Sequence, residues 1–210
     1  MSNFDKMKTV NLCLILAMIS CQTVTNKQQV LADKKPEAIA LNKKAGDIYA
    51  RNLYNRDSML YAIKLFDQAI ARDSSYPAPV TNKMNVLLNL KEYNQAIATG
   101  KNFIAQGQGY AEFYQYLGLI YDKIDKKDSA NYYHQKALSL FDQRIQMDSN
   151  AINLSNKYIS LLTLDTSKRE KILVQLDSLI EQNPTNSTLL LTRETVQDFD
   201  RDAFINEIIR

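Results

Sequence analysis

The sequence predicts an all-α protein built from antiparallel pairs of helices. Apolar residues recur at helical spacing through most of the chain after residue 36. A pattern of small and apolar side chains repeats about every 34 residues, and Ala62, Ala96 and Ala130 occupy its equivalent positions. The 210 residues include only five Gly and four Pro, which disfavours folds rich in β-turns. We therefore expect an array of helical hairpins.

The stretch from residue 110 to residue 140 shows the repeat most clearly. Its two helices carry small, aromatic and apolar side chains at helical spacing, namely Tyr114, Leu117, Gly118 and Tyr121, then Ala130, His134 and Ala137. Gly118 and Ala130 have little or no side chain, so the two backbones can approach closely there. Helix–turn–helix units with this period and these residues resemble the tetratricopeptide repeat (TPR) family over roughly residues 43–142.

The resemblance implies a helical solenoid of about four units, followed by a C-terminal capping segment that covers the terminal apolar face of the array. The period slips after Ala137, so the fourth unit is expected to be a degenerate copy. Within a repeat domain at 36–210, the units are expected at 43–76, 77–110, 111–148 and 149–186, with the cap at 187–210.

Helix boundaries follow from prolines, polar breaks and capping residues. Pro36 suits the first turn of a helix, where its missing N–H is not needed. Residues 56–58 are polar and predict a break between the first two helices. Ser167, with Glu170 three residues later, predicts a capping box. The expected helices cover 37–55, 59–72, a pair between 77 and 106, a pair between 111 and 147, then 152–164, 168–182 and the closing segment 187–210.

The first 20 residues have the layout of a secretory signal peptide. Lys6 and Lys8 precede an apolar run at 10–19, and Ser20 and Cys21 follow it. The run is too short to span a bilayer as a helix, which takes about 20 residues. Two other interpretations remain open, namely an ordinary secreted protein and an uncleaved hydrophobic start on a cytosolic protein.

Residues 18–21, Met-Ile-Ser-Cys, resemble a bacterial lipobox. The resemblance implies cleavage before Cys21 and acylation of that cysteine, and several acyl chains together give a stable membrane anchor. The polar residues 21–35 are then expected to form a tether between the lipid and the domain. No acidic run follows Cys21. Similar lipoproteins of some bacterial groups use such a run for surface export, so the resemblance favours the periplasmic side of the outer membrane in the bacterial cell envelope.

Charge and cysteine content exclude some classes of function. The net charge is only +3, and Lys and Arg are scattered among Asp and Glu, unlike the basic stripe of a nucleic-acid-binding protein. Cys13 would be removed with the signal peptide and Cys21 would be acylated. The mature chain would therefore have neither a disulfide nor a cysteine metal site.

In the TPR family the first helix of each unit lines a concave groove, so the resemblance makes this groove the expected surface for a protein or peptide partner. Asn side chains suit such a groove because they can bond both the N–H and the C=O of an extended peptide. The alternative interpretation is an ordinary hydrated helix face. The expected groove residues are Asp47, Arg51, Tyr54, Asn55, Asn82, Asn85, Asn89, Gln115 and Lys123, and Thr81, Leu119 and Asp122 map to the same face.

No set of residues predicts a catalytic or metal centre, and no cofactor is expected. His134 is the only histidine, and its place in the repeat predicts packing against the partner helix. Asp198, Asp200 and Asp202 resemble the start of a calcium loop, but Ala203 stands where the loop requires Gly. We expect these aspartates to break and cap the terminal helices instead.

These patterns predict a non-enzymatic, lipid-anchored scaffold that binds a protein or peptide, either as a monomer or within a complex. The alternative is an accessory lipoprotein that captures glycans or nutrients through its twelve tyrosines, with Tyr54 or Tyr116 as a stacking ring. An enzyme is the third possibility, and it lacks a convergent set of titratable residues.

Overall fold

A computed structural model describes residues 35–209 of the chain. The expected signal peptide at 1–20, the lipidation site Cys21 and nearly all of the expected tether lie outside the described residues. The described part forms ten α-helices and no β-strand, which confirms the predicted all-α fold of helical hairpins. It divides into two compact units, an N-terminal unit at 35–109 and a C-terminal unit at 110–209.

The N-terminal unit contains two helical hairpins. α1 (Pro36–Arg51) pairs with α2 (Arg56–Arg72), and α3 (Pro77–Asn89) pairs with α4 (Tyr93–Phe103). α3 also packs on α2 and contacts α1, so the second hairpin stacks on the first. The core between them is closed by Ala45, Met59, Ala62, Leu65, Phe66 and Val86.

A π-helical turn, Ile104–Gln108, extends α4 to the end of the N-terminal unit. Gly107 lies inside this turn with a φ of 77°, in the left-handed region where a side chain is unfavourable. The segment expected to form the second unit, 77–110, therefore has a defined backbone turn at Gly107 near its end.

The C-terminal unit begins with the longest hairpin and ends with a short helix. Its helices are α5 (Ala111–Lys123), α6 (Lys127–Met147), α7 (Ala151–Leu164), α8 (Arg169–Gln182), α9 (Ser187–Gln197) and α10 (Arg201–Ile208), with a 3₁₀ turn at Thr166–Lys168. α5 packs on α6, α6 on α7, and α9 on both α7 and α8. The last helix, α10, returns to pack on α5.

Gly118 of α5 lies in close contact with a side chain of α6. The imidazole of His134 lies directly over it, and a Cβ on Gly118 would come within 2.6 Å of the His134 Cε1 atom. Ala130 and Ala137, on the same side of α6, have no exposed surface. The close contact that the small residues predicted is therefore confirmed.

Side-chain caps correct two of the predicted helix boundaries. The Asn55 Oδ1 accepts from the Ser58 N–H at 2.9 Å, so α2 begins at Arg56 and the break predicted at 56–58 is wrong. Ser167 is not the cap that the sequence predicted. Its N–H and hydroxyl both donate to Asp165 Oδ1, and no side chain caps α8. In both places the side chain of a residue two or three positions earlier accepts the backbone N–H and fixes the local turn.

The prediction for the terminal aspartates is confirmed at Asp200. Its Oδ1 accepts from the Ala203 N–H at 2.9 Å and caps α10. Asp198 follows the end of α9. These residues break the chain between the two helices and set the position from which α10 starts.

Candidate functional site

The α1 positions expected in the groove are open to solvent. Asp47 and Arg51 lie on the last two turns of α1, and both are exposed. Tyr54 follows the end of the helix, in the turn to α2, and is 100% exposed. Asn55 does not lie on the first helix either, because its side chain caps α2. The expected groove face on α1 is therefore shorter than the sequence suggested, and it continues into a turn.

Two of the α3 asparagines use their amide N–H groups inside the N-terminal unit. Asn82 Nδ2 donates to Asn42 Oδ1 at 3.0 Å, and Asn42 in turn donates to the Tyr76 hydroxyl. Asn89 Nδ2 lies 3.2 Å from the Leu53 carbonyl oxygen. These bonds join α3 to the first hairpin, so the two side chains stabilise the stacking of repeats.

The remaining polar positions of α3 are at least half covered. Asn85 is half-buried, and Thr81 is buried and donates its hydroxyl to the Pro77 carbonyl. Asn82, Asn89 and Thr81 thus all use polar groups for contacts inside the N-terminal unit. Binding of a peptide backbone by these asparagines remains a prediction.

An exposed apolar surface lies where α1 turns into α2, and we call its residues Leu53, Tyr54, Leu60 and Tyr61 the α1–α2 corner. The exposed fractions are 41% for Leu53, 39% for Leu60 and 47% for Tyr61, besides the fully exposed Tyr54. The helical spacing of Leu53 with Ile48 and Tyr49 predicts that Leu53 faces inward, and its exposure shows that this prediction is wrong. Exposed clusters of large apolar side chains in a soluble domain mark interaction surfaces.

The face of α5 that the repeat pattern assigned to the groove is covered by other parts of the C-terminal unit. Gln115 is only 3% exposed. Near the start of the helix, Arg144 of α6 bonds both carboxylate oxygens of Glu112. At the other end, Lys123 Nζ donates to Asn206 Oδ1 of α10 at 2.6 Å. Gln115 is therefore not open to a partner, whereas Lys123 is half-buried and is engaged by α10 in this conformation.

A buried polar cluster lies under α10 at the same end of α5. Asp122 is 5% exposed, and its two oxygens bond different partners, His134 Nε2 at 2.7 Å and the Arg201 guanidinium at 2.7 Å. Arg201 also donates from Nε to the Thr163 carbonyl oxygen at 2.6 Å. Burial raises the pKa of the Asp122 carboxyl, but hydrogen bonds and charge interactions with His134 and Arg201 outweigh burial and hold this pKa below its ordinary value.

His134 has no exposed surface, which confirms the packing role that the sequence predicted. Its Nε2 faces Asp122, and its Nδ1 lies against Gly118, where a Cβ would come within 2.7 Å of it. Neither nitrogen is open to a substrate. Although a histidine–aspartate pair resembles part of a catalytic relay, this pair is enclosed by α5 and α6.

A cleft of about 500 Å³ opens beside the buried cluster. Its walls carry acidic and basic side chains in equal number, and they come from α5, the α5–α6 turn, α6, the end of α7 and α10. Within residues 35–209, no group of three or more His, Cys, Asp or Glu side chains is placed to hold a metal ion. The lining residues are Asp122, Lys123, Asp125, Lys127, Asn131, Leu164, Arg201, Asp202, Ile205 and Asn206.

Tyrosines form a second cluster on α5 and α6. The rings of Tyr121 and Tyr133 stack with centroids 5.3 Å apart, and Tyr132 meets Tyr133 edge-on at 5.2 Å. Burial raises the pKa of the Tyr133 hydroxyl. Tyr116, which the sequence offered as a ring for glycan stacking, is only 5% exposed and cannot serve as one.

No helix within residues 35–209 combines the length and the apolar character needed to cross a bilayer. No family model matches the chain, and no curated protein of matching sequence was found. Among solved structures, the chain is similar to YrrB, described as a TPR protein with an unusual peptide-binding site. The two are 16% identical, the match covers 87% of this chain and 90% of that chain, and the TM-score is 0.43. The hairpin architecture is established by the order of the helices and the contacts between them.

Proposed function

We propose that this chain is a non-enzymatic scaffold that binds a protein or peptide partner and is held at the bacterial cell envelope by a lipid on Cys21. The observation that carries the binding role is the α1–α2 corner, where two leucines and two tyrosines within residues 53–61 are each exposed. Tyrosine is enriched at protein interfaces because its ring adds apolar contact area while its hydroxyl remains hydrogen-bonded.

Charged residues beside the corner support a protein partner. Asp47 and Arg51 are exposed on the adjacent turns of α1, so an apolar centre has a polar rim on that side. This combination is typical of protein interfaces. The enclosed His134–Asp122 pair supports a non-enzymatic role, since a substrate cannot reach either ring nitrogen. Support for the envelope anchor comes from the lipobox-like residues 18–21.

Site-specific cross-linking in the organism that makes the protein tests the binding role. A photoreactive phenylalanine analogue replaces Tyr54 in the full-length chain. A matched control carries the same analogue at Val174, which is 70% exposed on α8. We expect a discrete cross-linked protein from position 54 and none from position 174. Tyr61→Asp should reduce the yield at position 54 several-fold, because it places a charge inside the apolar corner. Equal yields from positions 54 and 174 would contradict the proposal.

The anchor is tested in the same cells. Wild type should fractionate with membranes and have an intact mass that includes acyl chains, whereas Cys21→Ala should be soluble and unacylated. If both forms are soluble, the lipid anchor is wrong and the binding role is unaffected.

Glycan capture is the competing function, and Tyr54 distinguishes it from protein binding. Tyr116 is buried, so Tyr54 is the one stacking ring that remains of the two proposed from the sequence. Glycan-array binding that Tyr54→Ala abolishes would favour capture of a sugar over binding of a protein.

A further inference from the structure

The helix α10 packs on α5 through a small number of specific contacts, as a bound ligand would. It is eight residues long, and a helix of that length is unstable on its own in water. Phe204 and Ile205 are 6% and 5% exposed, so one side of the helix is buried. Its polar contacts are equally specific, with Arg201 bonded to Asp122 and Asn206 to Lys123. Contacts with the rest of the C-terminal unit, more than its own propensity, therefore hold α10 in place.

The surface beneath α10 presents two hydrogen-bond acceptors for an arginine side chain. Asp122 offers a carboxylate that is almost fully buried, and the Thr163 carbonyl oxygen offers a second acceptor. Two different nitrogens of Arg201 reach these acceptors, at 2.7 Å and 2.6 Å. A planar guanidinium can satisfy both acceptors at once, whereas the ammonium of a lysine is a single point charge.

Removal of α10 without replacement would be costly. Asp122 would keep His134 as a partner but would lose the cation that bonds its other oxygen. A buried carboxylate that loses such a partner is strongly destabilising. The site therefore favours exchange of one arginine-bearing segment for another over simple opening.

We propose that Asp122, Lys123 and the Thr163 carbonyl form a docking site for an arginine-bearing helix of a protein partner, and that α10 occupies this site when the partner is absent. The contacts of α10 define the expected partner helix. It carries Arg, an aliphatic residue four positions later in the place of Ile205, and an amide or similar acceptor in the place of Asn206. This inference rests on the proposed function as a scaffold and names a second surface for it.

The position of the site fits this role. The face of α5 that includes Gln115, Leu119 and Asp122 is the one that the repeat pattern assigns to partner binding. The cleft of about 500 Å³ borders Asp122 and Lys123 and continues past Asp125 and Asn131. An incoming helix longer than α10 would therefore find further polar contacts beyond those that α10 uses.

The test uses full-length protein and a fluorescent peptide with the sequence of residues 198–210 as the probe. In wild type, α10 competes with the probe, and a site that is only partly available binds with reduced apparent affinity. Arg201→Ala weakens the internal competitor and leaves Asp122 and Lys123 in place. We expect Arg201→Ala to bind the probe at least tenfold more tightly than wild type, by fluorescence anisotropy.

Two controls separate docking from loss of structure. Arg193→Ala removes another arginine of the same unit, one that is paired with Asp177 on α8, and it should bind the probe as wild type does. The second control changes only the peptide, so the protein fold is unaffected. A probe with Lys in place of the Arg at position 201 should bind the Arg201→Ala protein at least tenfold more weakly than the unchanged probe.

The outcomes are decisive for the docking site. If Arg201→Ala binds the probe no better than wild type, or binds the Lys probe equally well, the inference is wrong. Circular dichroism of Arg201→Ala checks that its helices are retained. Should it lose them, Asn206→Ala takes its place, because it breaks only the contact with Lys123 and should give a smaller gain in affinity of the same sign. Failure here leaves the α1–α2 corner untouched, because cross-linking at Tyr54 tests a different unit.

Discussion

Gly118 is the residue on which the contact between α5 and α6 depends. The atoms nearest to a Cβ at this position belong to the His134 ring, at 2.6 Å and 2.7 Å. That ring cannot move aside easily, because it has no exposed surface and is bonded to Asp122.

We predict that Gly118→Ala lowers the free energy of unfolding by about 1–3 kcal/mol, the usual cost of overpacking a core. Urea denaturation measures the change. Gly46→Ala is the matched control, since a Cβ at Gly46 of α1 meets no atom within 4 Å. It should be neutral or stabilise the protein by up to about 1 kcal/mol through its higher helix propensity. Equal effects of the two substitutions would contradict the close contact.

Asp122 makes the stability of the protein depend on pH in the acid range. Its pKa is lower in the folded chain than its ordinary value, so the unfolded chain binds more protons there. The stabilisation is complete above the unfolded pKa and is lost as the pH falls through the folded pKa.

We therefore expect the free energy of unfolding to fall as the pH is lowered from about 5 towards about 2, because aspartate carboxyls titrate in this range. In Asp122→Asn, the protein should be less stable at neutral pH and its stability should fall less steeply in acid. Asp47→Asn replaces an exposed carboxylate on α1 and should retain the steep fall of wild type. Chemical denaturation at a series of pH values gives the slopes, and parallel slopes for Asp122→Asn and wild type would rule out this role.

At the scale of the element, a side-chain cap sets the start of four of the ten helices within residues 35–209. Asn55, Asn150, Asn186 and Asp200 each accept a backbone N–H at the first turn of the helix that follows. Such a cap satisfies one of the N–H groups that have no partner within the helix.

We predict that Asn55→Ala destabilises the protein by about 1 kcal/mol, because the Ser58 N–H loses its acceptor. Asn55→Ser retains an acceptor oxygen and should have a much smaller effect. Thermal unfolding of the two variants side by side gives the comparison. If both lower the melting temperature equally, the loss comes from another property of Asn55.

Sequence reasoning succeeded for the elements that local spacing determines. The small residues at positions 62, 118 and 130 indicated where helices approach closely, because packing at a helix seam tolerates no larger side chain there. It failed at Leu53, which has the period of a buried face but lies in the turn after the end of α1, where no neighbouring helix covers it fully. Hydrophobic periodicity gives the direction of a side chain and not the presence of a neighbour.

At the scale of the whole molecule, the sequence could not reveal which residues meet across long separations. Asp122 and Arg201 are 79 positions apart, and no local pattern connects them. The expectation that Lys123 and Gln115 face an open groove depended on an empty surface beside α5. The sequence predicted a capping segment at 187–210 but not where it packs. In the structure, α10 of this segment packs on α5.

The packing of α10 on α5 also determines when the C-terminal unit can finish folding. Most contacts between its helices join neighbours along the chain, and such contacts form quickly. The bond between Asp122 and Arg201 instead waits until the 79 residues after Asp122 have been synthesised, since a chain folds from its N-terminus as it emerges from the ribosome. Until then the second oxygen of Asp122 lacks the partner that it has in the folded unit, so the α5–α6 hairpin forms before its buried polar cluster is complete.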